Sequence, residues 1–302
     1  MFYQRTIRKV AEVKGIGLHT GQPSQLRFCP APADAGIHFV RRDLPGEPSV
    51  AVDARQVSAT SLATVLGGEA FSVSTVEHCL SALAAFRIDN LFIELEGPEI
   101  PICDGSSKAF AEAIDAVGFV DQEAARNYVY ITEPIYYGDA DKHAYVVPYN
   151  GLRVTCTIDF PHPVIGEQSI DIDVNEVTYM KELASARTFG FLKDVEMMRA
   201  RGQALGGSLE NAIVLDEGQV MNPHGLRFPD EFVRHKALDA LGDLVTLGRP
   251  MMGHLVLYKA GHDVMNKLIR QIIGQPQSFR SIELGSDIRR EWPADTPEWV
   301  YS

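Results

Sequence analysis

Residues 234–244 read RHKALDALGDL. As an α-helix, at about 100° per residue, the segment places His235, Asp239 and Asp243 on one face and Ala237, Ala240, Leu241 and Leu244 on the other. An imidazole and a carboxylate at i and i+4 can share a metal ion, although such polar pairs are also common on solvent-facing helices. STVEHCLSALAAF, 74–86, is helical by the same test. It sets His78 among Ser81, Ala82 and Ala85, small residues that leave room for an approaching group. Together His78, His235 and Asp239 are two imidazoles and one carboxylate, a donor set that suits zinc with a fourth position open to water. Glu77 is then a spare carboxylate that can act as a base. It also has a structural reading, because Ser74-x-x-Glu77 matches a capping box at a helix start. Cys79 is turned away from His78 and reads as a buried apolar residue. His262, in KAGHDVMN, sits where a strand pattern gives way to a helical one, and reads equally as a reactive group or as a capping or surface histidine.

The elements that must position these groups are legible as patterns. LFIELEG (91–97) and LRVTCTIDF (152–160) alternate like strands with one buried face. Helical patterns fall at 74–86, 107–118, 193–202, 234–244 and 261–274. The first strand is expected within MFYQRTIRKVAEVKG, which has no apolar run behind its basic residues and so does not read as a signal peptide. Helices and strands intersperse in both halves. The least periodic polar stretch, DQEAARN at 121–127, is read as the boundary between two α+β domains, 1–124 and 125–302. GIGLHTG, 15–21, fits neither the dinucleotide fingerprint nor the P-loop spacing and reads as a tight turn between strands.

Composition narrows the function further. Of 302 residues, 45% are hydrophobic and 23% charged, as in an ordered globular protein. Cys29, Cys79, Cys103 and Cys156 form no CxxC pair, which argues against a cysteine zinc site and for a reducing cytoplasm. With 28 Lys+Arg against 40 Asp+Glu, the net charge of −12 disfavours nucleic-acid binding. No stretch is long and apolar enough to read as a transmembrane span.

The strings TVEHCLSAL, IPICDGSSKAF, SARTFGFLKD, LGGSLENAIVLDE, DEFVRHKALDALGDL and KAGH, in this order, closely resemble the UDP-3-O-acyl-N-acetylglucosamine deacetylases, the zinc amidases of lipid A biosynthesis. The match runs from GIGLHTG to KAGH, nearly the whole chain. The resemblance implies an α+β fold of two sandwich domains, each a sheet plus a helix layer, packed helix layer to helix layer with the metal between them. It implies His78, His235 and Asp239 as ligands of one Zn²⁺, with Fe²⁺ as an alternative occupant of the same site. Glu77 matches the family's general base, His262 its cationic acid or stabiliser, Asp243 the residue orienting that histidine, and Thr188 a hydroxyl assisting the oxyanion. The implied chemistry is metal-assisted attack of water on the acetyl carbonyl, with Glu77 taking the proton and either Glu77 or His262 protonating the leaving amine.

For the substrate, the resemblance implies an apolar acyl passage formed by Leu18, Leu62, Phe189, Val195, Met198, Gly207, Ser208 and Val214. Val195, Met198 and Val214 could equally be ordinary core residues. Lys142, Phe160, Phe191, Asp194, Arg199 and Lys236 match positions that meet the nucleotide diphosphate and sugar. Leu62 stands where the family commonly has Met, a departure bearing on acyl-length preference. The expected partners are UDP-3-O-acyl-N-acetylglucosamine and water, acting on a cytoplasmic monomer. Two other readings stay open: a zinc amidase for another N-acyl sugar, and a nonhydrolytic nucleotide-sugar binder with structural zinc. The open three-ligand set and the spare Glu77 speak against the second.

Overall fold

The computed structural model describes residues 3–284. Its first sheet has five strands in the order Ala11–Ile16, Pro23–Pro30, Leu91–Glu96, Ile37–Arg41, Ser49–Ala51. In its central strand Leu91, Ile93 and Leu95 are fully buried while their neighbours face outward, the alternation the sequence predicts. The second sheet has eight strands. Its path runs Tyr3–Ile7, Phe119–Ile131, Met251–Tyr258, His143–Val147, Ile135–Gly138, with Leu152–Phe160 pairing in parallel to Met251–Tyr258.

Six helices are present among the described residues: α1 (Glu77–Ala85), α2 (Lys108–Val117), α3 (Glu176–Glu182), α4 (Leu192–Ala200), α5 (Glu231–Leu244) and α6 (His262–Gly274). None is long and apolar enough to cross a membrane. α2 packs on the first sheet at Ala11–Ile16, and α5 and α6 pack on the second, while α1 lies against both α2 and α5. Two of these helices are sandwiched between layers. Every α1 residue except Ala84, and every α5 residue except Arg234 and Lys236, is buried, as expected of helices with no solvent face. Their backbones meet at Gly242, where a Cβ would lie only 2.0 Å from the Glu77 carbonyl oxygen. That contact brings the start of α1 against the polar stripe of α5.

Two local expectations change. DQEAARN is the middle of the 13-residue strand Phe119–Ile131, not an irregular link. Its first half pairs with Tyr3–Ile7 and its second with Phe279–Leu284, so one strand continues through the segment read as a boundary. Two of its polar residues find partners on distant segments: Arg126 grips Asp89 with two nitrogens, and Gln122 bonds Asn90 and the Ala31 carbonyl. The second change is at Glu77. Ser74 does not cap α1; its hydroxyl donates to the Pro98 carbonyl, Val76 is the N-cap, and no side chain caps the helix. Thr75 enters the helix at φ 61°, a left-handed backbone costly for a β-branched residue and of the kind found at functional sites.

GIGLHTG is the expected turn, between Ala11–Ile16 and Pro23–Pro30. Gly17 is required there, because a Cβ would fall 2.2 Å from Oε2 of buried Glu99, whose carboxylate accepts from the N–H groups of His19 and Thr20. Gly206 N–H donates to the Leu18 carbonyl, tying the turn to the loop after α4.

Candidate metal centre

The polar stripe of α5 is not a solvent face. His235, Asp239 and Asp243 are 2%, 5% and 3% exposed. His78 reaches the same point from α1, its ring edge-on to that of His235 with centroids 5.0 Å apart. Nε2 of His235 lies 3.2 Å, and Nε2 of His78 3.6 Å, from Oδ1 of Asp239. Burial, reinforced by the neighbouring His235, pushes the His78 pKa down to about 3, and burial lowers that of His235 as well. Both rings are therefore neutral at pH 7, and these contacts are not ion pairs. His235 is oriented by the Ala186 carbonyl, which sits 3.1 Å from Nδ1 and accepts its proton, leaving the Nε2 lone pair facing Asp239.

Asp239 completes the set. Burial works against its carboxylate, yet His235 and the Lys236 ammonium hold its pKa well below the usual range. Lys236 Nζ donates to Oδ2 at 2.9 Å, whereas Oδ1 is buried without a hydrogen-bond partner. Two imidazole lone pairs and an orphaned carboxylate oxygen repel one another unless a cation lies among them. The three donor atoms lie within 4.8 Å of one another, and the two edges to Oδ1 of Asp239, 3.2 and 3.6 Å, match the roughly 3.4 Å edge of a tetrahedral zinc shell with bonds near 2.1 Å. These residues fit a divalent metal ion, and no fourth protein ligand accompanies them among the described residues.

A second polar cluster adjoins the first. Nδ1 of His262, at the first position of α6, lies 2.8 Å from Oδ2 of Asp243. Its Nε2 lies 3.8 Å from Oε1 of Glu77. Burial alone would lower the His262 pKa, but Asp243 and Glu77 outweigh it and raise it to about 9. Burial pushes the Glu77 carboxyl up to about 7, against the opposing pull of His262. His262 is thus charged at neutral pH, and Glu77 is poised to exchange a proton there.

The substrate candidates fall into separate neighbourhoods. Phe189 packs its ring on Phe160, Phe232 and His235, and Phe160 also meets Phe191, so an aromatic group borders the metal donors. Lys236 lies over the Phe189 ring at 5.8 Å. Thr188 is half-buried beside Phe189, its N–H bonded to the Gly105 carbonyl and its own carbonyl accepting from Ile213. Val214 is paired opposite Gly190, next to Phe189. Leu18 lies within van der Waals reach of Gly207, and Arg199 donates to the Gly207 carbonyl, joining the turn, α4 and exposed Ser208. No α4 residue is buried, and Val195, Met198 and Val214 are half-exposed, so none of the three is an ordinary core residue. Asp194 sits half-buried in the first turn of α4. Leu62 is 42% exposed, two residues before Thr64. Lys142 is exposed on a hairpin that Lys259, in KAGH, reaches through Asp141; no described contact joins Lys142 itself to the centre.

Three participants, Thr64, Arg187 and Glu231, are not marked by residue spacing. Thr64, 3% exposed, donates its N–H to Glu77 and its hydroxyl to Asp243. Buried Glu231 accepts from the main-chain N–H and guanidinium of Arg187, fixing the 186–189 segment against α5. These partners lie 13 to 179 residues apart, beyond any periodicity. A cavity of about 260 Å³ lies beside Leu83 and Arg87 at the end of α1 and shares no residue with the centre. A much smaller one borders Lys236, Asp239, Asp243 and His262. Chemistry rather than volume marks the site.

Known proteins resemble this chain over most of its length. Residues 4–274 match the family described as LpxC, UDP-3-O-acyl N-acetylglycosamine deacetylase. A protein of Bdellovibrio bacteriovorus named UDP-3-O-acyl-N-acetylglucosamine deacetylase is 64% identical over 291 residues, covering 96% of both chains. Proteins of the same name from Myxococcus xanthus and an Anaeromyxobacter species are 48% and 47% identical, covering 93% and 94% of this chain and 90% and 93% of their own. The match over residues 4–274 and the 64% identity over 96% of the chain place this protein in the UDP-3-O-acyl N-acetylglycosamine deacetylase family.

Proposed function

We propose that the protein hydrolyses the N-acetyl amide of UDP-3-O-acyl-N-acetylglucosamine, a step of lipid A biosynthesis, releasing acetate and a free amine. The observation that carries this reading is buried Glu77, a carboxylate that is no part of the three-donor set yet stands beside it, facing a charged imidazole. A metal ion held by His78, His235 and Asp239, taken here as Zn²⁺ with Fe²⁺ as the alternative, would polarise the amide carbonyl and acidify a water. Glu77, with a pKa near 7, takes the proton from the attacking water. His262, held in its charged form by Asp243, stabilises the oxyanion and stands with Glu77 as proton source for the leaving amine. Thr188 is assigned to the same oxyanion. The aromatic group of Phe160, Phe189 and Phe191, with Asp194, Arg199, Lys142 and Lys236, is assigned to the nucleotide and sugar. Leu18, Leu62, Val195, Met198, Gly207, Ser208 and Val214 are assigned to the acyl chain.

Acetate release from the 3-O-acylated nucleotide sugar, compared with the same sugar lacking the acyl chain, tests this assignment. Release from the acylated compound at a much higher rate is expected. No release, or equal rates on both, would move the site to another amide.

Glu77→Gln separates chemistry from architecture. No side chain caps α1, so the substitution leaves no capping bond to lose, and its amide can still face the Thr64 N–H through oxygen. An amide cannot accept the water proton. Turnover should fall about 100-fold or more with metal content and melting temperature nearly unchanged. A metal-loaded Gln variant keeping most of its activity would transfer the base role elsewhere, first to His262.

A further inference from the structure

We infer that the hydroxyl of Thr64 is a positioning group for the reaction, locking the Asp243 carboxylate in the orientation that presents Nε2 of His262 to Glu77. Thr64 precedes the strand Val65–Gly67 and is attached at three points to the groups around it. Its N–H donates to Oε2 of Glu77 at 3.0 Å, and its carbonyl accepts from Val76 N–H, the residue before Glu77. Its hydroxyl donates to Oδ1 of Asp243 at 2.5 Å. Asp243 in turn uses Oδ2 for His262 Nδ1 at 2.8 Å, and the circuit closes across the 3.8 Å between His262 Nε2 and Glu77 Oε1.

Within this circuit the proton exchange belongs to Glu77 and His262, and Thr64 only positions. The direction of its hydroxyl follows from the geometry. Its 3.4 Å distance to His262 Nδ1 is long, and that nitrogen already shares its proton with Asp243, so the hydroxyl hydrogen goes to Oδ1. With one oxygen pinned by Thr64 and the other by His262, Asp243 cannot turn about its Cβ–Cγ bond without breaking both bonds. Without the hydroxyl, a buried oxygen is left unsatisfied and the carboxylate has a single anchor. The imidazole then loses its fixed plane, and the separation of acid and base is no longer set. The main-chain bonds to Glu77 and Val76 survive any side-chain substitution, so the hydroxyl can be tested alone.

This inference rests on the deacetylase reading above, and its test has one arm that does not. Thr64→Val keeps the branched shape and removes only the hydroxyl. Its kcat should fall about 10- to 100-fold, the usual effect of losing an outer partner of a reactive histidine, while KM and bound metal stay within about twofold. Thr64→Ser should recover most of the lost kcat. Independently of substrate, ¹⁵N-histidine spectra should show a slowly exchanging imidazole N–H, assigned by its loss in His262→Gln, that survives in Thr64→Ser and exchanges away in Thr64→Val. Wild-type kcat in Thr64→Val, loss of kcat and metal together, or an unchanged His262 N–H in that variant would each overturn the inference. If the wild-type protein releases no acetate, the deacetylase reading fails, and the spectra alone decide whether Thr64 holds the Asp243–His262 pair.

Discussion

Stripping the metal ion with a chelator is expected to abolish acetate release, and about one equivalent of Zn²⁺ to restore it. One donor set of the required kind is present among the described residues, so the stoichiometry should be one. Oδ1 of Asp239, where His78 and His235 converge, has no hydrogen-bond partner among the described residues, and the Lys236 ammonium is engaged with the opposite oxygen, Oδ2. Asp239→Ala removes the only charged donor, and metal content should fall with activity. Asp243→Ala should keep its metal and lose turnover, since both Asp243 oxygens serve Thr64 and His262 instead. Equal metal loss in the two variants would show the carboxylates to be wrongly assigned, and full activity in metal-free protein would remove the metal from the reaction.

The metal-free fold should also be sensitive to acid. His78 and His235 have lowered pKa values in the folded chain but titrate near 6.5 when unfolded. Between that value and the folded pKa, the unfolded state binds more protons, so stability falls as pH drops below 6.5. A bound ion that holds both rings neutral should stabilise the fold by an amount that grows with the logarithm of its concentration over the dissociation constant, roughly 2.7 kcal/mol at a hundred times that constant, and so raise the melting temperature. Thermal melts at pH 7 and pH 5, with and without Zn²⁺, would measure both effects.

His262→Ala is expected to lower turnover by about 10²- to 10⁴-fold, the range for a placed acid or charge stabiliser. The imidazolium is maintained against burial by two carboxylates, Asp243 at 2.8 Å and Glu77 at 3.8 Å. Raised to about 9, its pKa keeps the ring charged throughout the neutral range. The wild-type rate should therefore decline as pH rises through about 9, where the charge is lost, and the His262→Ala variant should lack that decline. Unchanged turnover at neutral pH would make His262 a passive partner of Asp243. His262→Gln keeps a hydrogen-bonding side chain without the charge, and comparing it with Ala separates the charge from the contact.

Much of the scaffold was legible because the local rule was also the packing rule. Leu91, Ile93 and Leu95, and Val154, Cys156 and Ile158, are buried in alternation along their strands, as expected. α2 and α6 each have one apolar stripe, and their boundaries lie within a residue of the patterns. α5 shows where periodicity stops. It separates His235, Asp239 and Asp243 from the leucines, but cannot distinguish a face bathed in water from one buried against another helix. Residues 121–127 mislead in the opposite way. Arg126 and Gln122 find polar partners on distant segments, so a structured strand has the composition of a loop.

By itself the sequence determined the residue types of the centre, their spacing on two helices and the family that shares them, because these are properties of a single strip of chain. Only the tertiary structure decided that α1 and α5 approach to backbone contact at Gly242, that Thr75 turns Ser74 away from the helix start, and that Thr64 and Ala186 orient Glu77, Asp243 and His235. Acidities of buried groups and the aim of their lone pairs depend on desolvation and on neighbours many residues away, and those neighbours meet only when the chain has folded.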